Sequence, residues 1–350
     1  MANTIIGLDI GSTALRAAEI IDAGTPHPTL RRYHEIPVPD GAVSRGEVLE
    51  PNTVATALKR LWSAGGFTSK RVVLGMGNQR VLARDLTVPK ASIERIRESL
   101  PFQVQDMLPL PVADALLDFY PISEGLSEHG PVINGLLIAA VKDAVLGNVK
   151  AVQLAGLVPV EVDLIPFALD RVLLTRPQTM GTIALIDIGA ATTSVIIAID
   201  GVPHFMRIIP TGGADLTRTL ATRLEIEVEQ AEHLKRTLGL AAAASTAEER
   251  RAVSVIHELV NELLGSLRNT VSYFTNTRPD APVRHIVLTG GGAQLPGLFE
   301  ALGEFVRLPV VAGEPLAGVT LARSMRSDGE RLRRASLTVA LGLALGSVAA

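Results

Sequence analysis

The sequence predicts a mixed α/β protein built as two related lobes, with a smaller subdomain inserted into the first, and three observations predict it. Short β-branched runs alternate with helix-period stretches along the chain. A strand–turn–strand unit with Asp-Ile-Gly at its turn occurs twice, as Gly7-Leu8-Asp9-Ile10-Gly11-Ser12-Thr13 and as Leu185-Ile186-Asp187-Ile188-Gly189-Ala190-Ala191-Thr192-Thr193. Beyond Val88 the pattern changes, and Pro89, Pro101, Pro109, Pro111 and Pro121 interrupt it. At about 150 residues per domain, 350 residues suggest two domains with sizeable cores.

Taken in order, Thr4 to Ile10, Ala14 to Ile21 and Tyr33 to Val38 read as strands, the first two joined at Gly11-Ser12-Thr13. A helix is expected from Asn52 to Ala64, stopped by Gly65-Gly66. A strand follows around Arg71 to Gly75, and the proline-broken segment holds a short helix containing Ile93 and Ile96, then extended pieces. An apolar strand (Ile133 to Val141) and a helix (Asp143 to Leu154) close it. The second half opens with strands Thr182 to Ile188 and Thr193 to Ile199 and turns helical after Gly212-Gly213. Ile256, Val260, Leu263, Leu267, Val271 and Phe274 recur every three or four residues, a stripe for core packing, or for a partner helix over too few heptads to favour it. Ala241 to Thr246 reads as a joint between helices.

Composition removes whole classes. With 33 basic against 36 acidic residues and a net charge of −3, the chain has no electrostatic footprint for nucleic acid. At 47% hydrophobic and 20% charged it is not a disordered chain. The absence of cysteine excludes disulfides, thiolate zinc sites and a Cys nucleophile, and fits a reducing cytoplasm. The N-terminus has no signal-peptide pattern, so a cytoplasmic location is expected. The apolar Ala335 to Ala350 is shorter than the ~20 residues of a spanning helix and reads as a buried helix against the first strands. Any membrane association is therefore expected through a partner.

The repeated hairpin carries the chemistry. Glycine at such a tip lets backbone N–H groups approach a phosphate, and hydroxyls add donors. The adjacent carboxylates, Asp9 and Asp187, would repel phosphate but can hold a hydrated Mg²⁺ that bridges to it. One Asp-x-Gly alone is an ordinary turn; two copies of the unit are not readily chance. A third element, Ile286 to Leu298, runs from a strand into Gly290-Gly291-Gly292 and what reads as a helix start, suited to phosphates or adenosine, or else a tight strand-to-helix turn. Other signatures are missing. There is no Gly-x-x-x-x-Gly-Lys loop, no nucleophile elbow, and His257-Glu258 lacks the second histidine of a zinc motif.

These residues resemble the actin/Hsp70/sugar-kinase superfamily, in which two duplicated lobes hold ATP between paired phosphate hairpins. Asp9 to Arg16 resembles its first phosphate motif, Asp187 to Thr193 its second, and Leu288 to Leu298 its adenosine motif. Leu267 to Phe274 and Ala335 to Gly346 resemble its connecting helices. Within it, Val88 to Tyr120, Ala231-Glu232-His233-Leu234-Lys235 and Ala340 to Gly346 are similar to the PilM family of type IV pilus assembly proteins, relatives of FtsA. The resemblance implies a two-lobed actin-like (ribonuclease H-like duplicated) fold with an inserted subdomain. It divides the chain into a first lobe, 1–86, completed by 158–178 and 335–350; an insert, 87–157; a second lobe, 179–212, completed by 276–334; and a helical subdomain, 213–275.

The resemblance also implies ATP and Mg as ligands. Gly11, Ser12, Thr13, Gly189, Thr192 and Thr193 would hold phosphates, and Asp9 and Asp187 the Mg through water. Glu232 and Lys235 would line the adenosine side opposite Gly290, Gly291 and Gly292, although their spacing also makes them a plain surface ion pair. Gly212 and Gly213 fit a nucleotide-side turn or simply a helix entry. Arg16 stands where the family usually has Lys, which keeps the charge and changes the donor geometry. Asp163 and Asp170 are the acids considered for orienting a hydrolytic water, and the sequence leaves turnover open.

The function so implied is that of a cytoplasmic ATP-binding adaptor at the inner face of the membrane. It would dock the N-terminal tail of a PilN-like inner-membrane protein, with other pilus platform proteins and self-association as further contacts. Phe102, Val104, Leu108, Leu110 and Phe119 are candidate groove liners, or else the insert's own core. The alternatives are a superfamily kinase or phosphohydrolase and an FtsA-like division protein; the end at Gly346-Ser347-Val348-Ala349-Ala350 lacks the basic amphipathic helix typical of the latter. Arg323, Arg326, Arg331, Arg333 and Arg334 read as a solvated loop or a patch for an anionic partner.

Overall fold

The first strand, β1 (Ile6–Ile10), is buried along its whole length, as an apolar strand in mid-sheet must be. The computed structural model describes residues 4–240, 244, 246–328 and 337–346. β2 (Ala14–Ile21) and β3 (Thr29–Pro37) follow β1 as an antiparallel meander. A small hairpin, β4 (Val43–Ser44) with β5 (Glu47–Val48), leads into α1 (Pro51–Gly65), which ends as expected on Gly66 in the left-handed region. β6 (Arg71–Met76) then pairs parallel to β1.

The insert is a three-stranded antiparallel sheet of β7 (Val81–Pro89), β8 (Ala115–Ser127) and β9 (Gly130–Val141), in the order β7-β9-β8. The helix α2 (Ile93–Gln103) caps one face, and Val88, Ile96, Leu100, Val104, Phe119 and Leu137 form its core. The sheet begins at Val81, ahead of the change of pattern at Val88. α3 (Lys142–Leu154) follows β9 but packs back on α1, its Ala151 and Val152 buried with Leu8, Leu58 and Leu61. The span 87–157 thus takes in most of the insert sheet and one helix of the first lobe's core.

β10 (Val158–Leu164) extends the first sheet beside β6, and α4 (Ile165–Asp170) continues into a π-helical turn over Arg171–Thr175. The second lobe repeats the plan. β11 (Thr182–Ile188), β12 (Thr193–Ile199) and β13 (Val202–Ile209) form the meander, and α5 (Gly213–Leu224), α6 (Val228–Leu238) and α7 (Ala247–Thr277) follow. β14 (His285–Thr289), α8 (Leu298–Val306) and β15 (Val310–Ala312) complete it. β16 (Thr320–Leu321) returns to pair with β3, and α9 (Thr338–Gly346) ends the fold. The two sheets run β10-β6-β1-β2-β3-β16 and β13-β12-β11-β14-β15. In each, a three-strand meander is flanked on the side of its first strand by two parallel strands.

The α7 stripe is core: Ile256, Val260, Leu264, Leu267, Val271 and Phe274 are buried against the second sheet. Thr246 caps the helix, its hydroxyl accepting from the Glu249 N–H at 3.1 Å while Glu249 returns the bond to the Thr246 N–H. The Ala241 to Thr246 joint otherwise lies mainly outside the described residues. β7, β10 and β13 were not expected as strands. β7 and β10 are half-exposed edge strands with charged residues between the apolar ones, and β13 has Pro203 as its second residue and Arg207 further along, so none shows a clean apolar run. Among the described residues no helix is long and apolar enough to cross a membrane.

The lobes share one core around the segment that joins them, the hinge formed by the end of β10, α4 and the π-helical turn to Thr175. Ala18, Ile20 and Leu30 of the first lobe meet Leu169, Val172 and Leu174 of the hinge, Ile183, Leu185 and Ile196 of the second lobe, and Leu341 and Leu345 of α9. α9 approaches so closely that a Cβ on Gly342 would lie 2.0 Å from the Ala168 carbonyl oxygen, and one on Gly7 2.0 Å from that of Ala340. No rotamer relieves a clash with backbone. Gly342→Ala should therefore lower unfolding stability by about 3 kcal/mol or more in denaturant titration. Gly265→Ala, in open space on α7, should raise it by roughly 0.5–1 kcal/mol.

Candidate nucleotide cleft

The two Asp-Ile-Gly hairpins close with the same turn. The Gly11 N–H donates to the Ala14 carbonyl at 3.1 Å, and the Gly189 N–H to that of Thr192 at 2.9 Å. Ser12 and Thr13 occupy the first tip, and Ala190 and Ala191 the second, so hydroxyl groups fall at different places in the two copies. Thr192 lies at the far end of its tip with Oγ1 near Gly189. Thr193, by contrast, is fully buried and donates its hydroxyl to the Thr211 carbonyl at 2.7 Å, which ties β12 to the turn before α5 and removes it from the tip.

Register makes the two acids unequal. Asp9 stands across from Arg16, which lies 3.1 Å from it and also pairs with Glu35 at 3.2 Å. Asp187 stands across from Ser194, and a buried serine supplies no charge. Burial pushes Asp187 up to about 7, with the negative charge of Asp9 adding to the shift and Arg16 opposing it. Burial also raises Asp9, against the pull of Arg16. Asp187 thus feels both charged groups of the first hairpin, Asp9 and Arg16, which places the two acid-bearing strand ends near one another between the lobes.

Around the second tip the predicted residues converge. Gly213 and Ala214 donate their N–H groups to the carbonyls of Gly189 and Ala190 at 2.9 and 2.8 Å. A side chain on Gly212 would strike those same two residues. Lys235 donates to the Gly213 carbonyl at 3.0 Å and to Thr217 Oγ1 at 2.7 Å, and pairs with Glu232 at 2.6 Å. The Glu232–Lys235 pair therefore exists as an ion pair and also reaches the α5 entrance. Hydrogen bonds from Lys235, Thr217 and Arg236 hold the Glu232 carboxyl below its usual range although burial opposes them.

The Gly290-Gly291-Gly292 stretch folds differently from expectation. It enters a 3-10 turn over Gly291–Gln294, and α8 begins only at Leu298, after Gly297 in the left-handed region. Gly290 has φ 92°, and a Cβ there would lie 2.4 Å from the Ile188 carbonyl oxygen and 2.8 Å from Asp187 Oδ1. The glycines thus pack on the strand carrying Asp187, and Gly291 faces open space. What the stretch offers is a bare backbone shelf instead of a helix N-terminus.

Asp163 and Asp170 are engaged in the hinge. Asp163 pairs with Arg171 at 3.0 Å, and Arg171 also donates to the Gly342 carbonyl at 2.6 Å. Asp170 is 3% exposed and burial pushes it up to about 7. The Thr175 hydroxyl lies 2.7 Å from Asp170 Oδ2 and 2.8 Å from the Gly201 carbonyl, and one proton cannot serve both acceptors. A protonated Asp170 donating to Thr175, which donates to Gly201, satisfies the chain.

Of the groove candidates, Val104 and Phe119 are buried in the insert's own core, Leu108 and Leu110 are half-buried, and Phe102 is 80% exposed. Arg323 and Arg326 are exposed on a 3-10 turn; Arg331, Arg333 and Arg334 lie outside the described residues. Sequence reasoning missed Thr217, Asp215 and Arg45. Asp215 follows Gly212 at capping spacing and accepts its N–H at 2.9 Å, which was a legible signal; Arg45 gave none.

Paired hairpins with facing acids, set between two lobes of one topology, define an actin-like two-lobed protein. MreB 5 of Spiroplasma citri, solved bound to AMPPNP, shares that fold at 12% identity, with 100% of this chain and 97% of that one covered and a TM-score of 0.57. The family described as type IV pilus assembly protein PilM matches residues 7–348, and the chain belongs to it. A chain from a PilM–PilN type IV pilus biogenesis complex is 29% identical, covers 98% of each chain, and superposes with a TM-score of 0.86. Cell division protein FtsA of Bacillus subtilis (strain 168) is 22% identical over 321 residues, 79% of this chain and 72% of that one.

Because Asp187 and Asp170 take up protons on folding, each stabilises below its unfolded pKa and loses that contribution as pH rises toward about 7. Stability of the ligand-free protein should therefore fall between about pH 4 and 7. Asp187→Asn should flatten that slope and raise stability at pH 8, read by denaturant titration across pH; an unchanged slope would contradict the burial of this charge.

Proposed function

We propose that this chain is an ATP-binding adaptor of a type IV pilus assembly platform, working as a nucleotide-dependent binding protein that docks the cytoplasmic N-terminal tail of a PilN-like membrane protein. The observation that carries the nucleotide half is the facing pair Asp9 and Asp187, each beside a glycine tip, with the charge of Asp187 left without a counter-ion by Ser194. Two acids held this way fit a hydrated cation, and the tips and the Gly212, Gly213 and Gly290 backbone fit phosphates and a nucleoside. Mg²⁺, when bound, neutralises phosphate charge. Asp9 and Asp187 would hold its water shell, Ser12, Thr13 and Thr192 would add hydroxyl donors, and Lys235 and Glu232 would border the nucleoside. Asp163 and Asp170 being tied into the hinge favours a binding switch over rapid turnover.

Titration calorimetry with ATP and Mg²⁺ tests this half. Asp9→Asn and Asp187→Asn should each weaken binding by about 10- to 100-fold, and binding should release protons at pH 7. A folded parent protein that takes up no nucleotide would sink the reading.

For the tail, the apolar surface matters. β10 is the edge of its sheet, and Val158, Val160 and Val162 are exposed along it, 52, 37 and 38% accessible, with a register shift between Pro159 and Glu161. An extended peptide can add to such an edge, with backbone hydrogen bonds giving affinity and the valines a place for alternate side chains. Phe102, Leu108 and Leu110 of the insert are the other candidates. A fluorescent PilN-type N-terminal peptide should lose about tenfold or more in affinity on Val160→Asp, equivalent to the ~1.4 kcal/mol of one apolar anchor. Loss on Phe102→Ala instead would move the site to α2.

A further inference from the structure

The lobes also meet far from the hinge, through a residue that no motif marks. Arg45 sits at the turn of the β4–β5 hairpin with φ 49°, followed by Gly46 at φ 78°. A non-glycine residue stays in that region only where its surroundings hold it. Here they do. The Asn148 side chain of α3, 1% exposed, accepts from the Val48 N–H and donates to the Gly46 carbonyl, both at 3.0 Å, and Glu47 pairs with Arg80 at 2.6 Å.

So fixed, the turn sends Arg45 across to the second lobe. Its guanidinium donates to the Pro210 carbonyl and, at 3.2 Å, to Asp215 Oδ1. The other oxygen of Asp215 accepts from the Gly212 N–H at 2.9 Å, and the next two N–H groups hold the carbonyls of Gly189 and Ala190. Hydrogen bonds linked through short stretches of backbone thus run from Asn148 in the first lobe to the tip of the second hairpin. Among the described salt bridges only Arg45–Asp215 and the insert's Asp85–Arg278 join the second lobe to the rest of the chain.

We propose that Arg45 is a clasp that holds the lobes closed and positions the α5 entrance over the second hairpin, so that nucleotide residence depends on it. Its effect on residence rests on the nucleotide reading above; the clasp rests on geometry alone. The contact is built to release. Arg218 already lies 2.5 Å from Asp215 Oδ1, so Asp215 stays paired when Arg45 leaves. The Arg45 side chain is 35% exposed and returns to water at small cost, and the Pro210 carbonyl alone loses its partner.

The chain has no cysteine, so Lys59→Cys on α1 and Glu262→Cys on α7, both exposed positions, give a unique pair of spin labels, one on each lobe. Pulsed dipolar distances in the nucleotide-free full chain should lengthen and broaden on Arg45→Ala, and return toward the parent on Arg45→Lys, which keeps a donor. Superimposable distributions for the parent and Arg45→Ala would overturn the clasp. Dissociation of a fluorescent ATP analogue should quicken by about three- to tenfold in Arg45→Ala, the range of a half-exposed charged contact. An unchanged rate alongside opened lobes would overturn the link to residence. Failure of the parent to bind the analogue would count against the nucleotide reading alone, because the distances answer for the clasp separately.

Discussion

Where α9 crosses β1 and α4, backbone touches backbone. Gly7 and Gly342 have no side chain because none fits: carbonyl oxygens of Ala340 and Ala168 fill those places. That approach lets Leu341, Ala344 and Leu345 reach the core shared by both lobes, and it brings the Gly342 carbonyl within reach of Arg171. A looser crossing would split the shared core into two and part the sheets whose hairpins must face each other. The placing of the two hairpins is thus set by a contact between small residues of α9, β1 and α4.

Given that frame, the duplicated hairpins do different work. One acid is answered from within its own hairpin by Arg16, itself steadied by Glu35; the other looks across to Ser194 and stays uncompensated. A site with two internal cations would have no need of an external one, and a site with none would repel itself on closing. One paired and one unpaired acid leave a demand for positive charge at the centre of the cleft, which a proton meets at low pH and a bound cation would meet above it.

Much of this was legible because it is local. The Asp-Ile-Gly repeat fixed two hairpins, the helix stop at Gly66 and the α7 stripe were period and capping signals, and the apolar end was read as a buried helix. Resemblance supplied the rest of the fold. What escaped was decided by pairing at a distance. β7, β10 and β13 are strands because neighbours accept them, while their own residues alternate too weakly to say so. Thr193 reads as one more hydroxyl of the tip, yet it lies on the strand side of the turn and bonds to Thr211. Val104 and Phe119 read as groove or core alike, and only α2 folding over the insert sheet makes them core.

The insert's second face shows how a partner and a nucleotide could speak to each other. Leu136, Ile138 and Ala140 of β9 pack with Met76 from the end of β6, with Ala144 and Val145 of α3, and with Met206 of β13 in the second lobe. Beside that seam Arg278 Nη2 donates to both carboxylate oxygens of Asp85, at 3.1 and 3.0 Å. The insert therefore belongs to the first lobe by chain connection and leans on the second by packing. The lobes cannot move relative to each other without shearing this apolar seam or carrying the insert along. Close-packed interfaces shift between discrete arrangements more readily than they deform. A tail gripped by β10 or the insert would then bias one lobe arrangement, and a nucleotide in the cleft would bias the same arrangement from the other side, which is the condition for two ligands to be coupled at all.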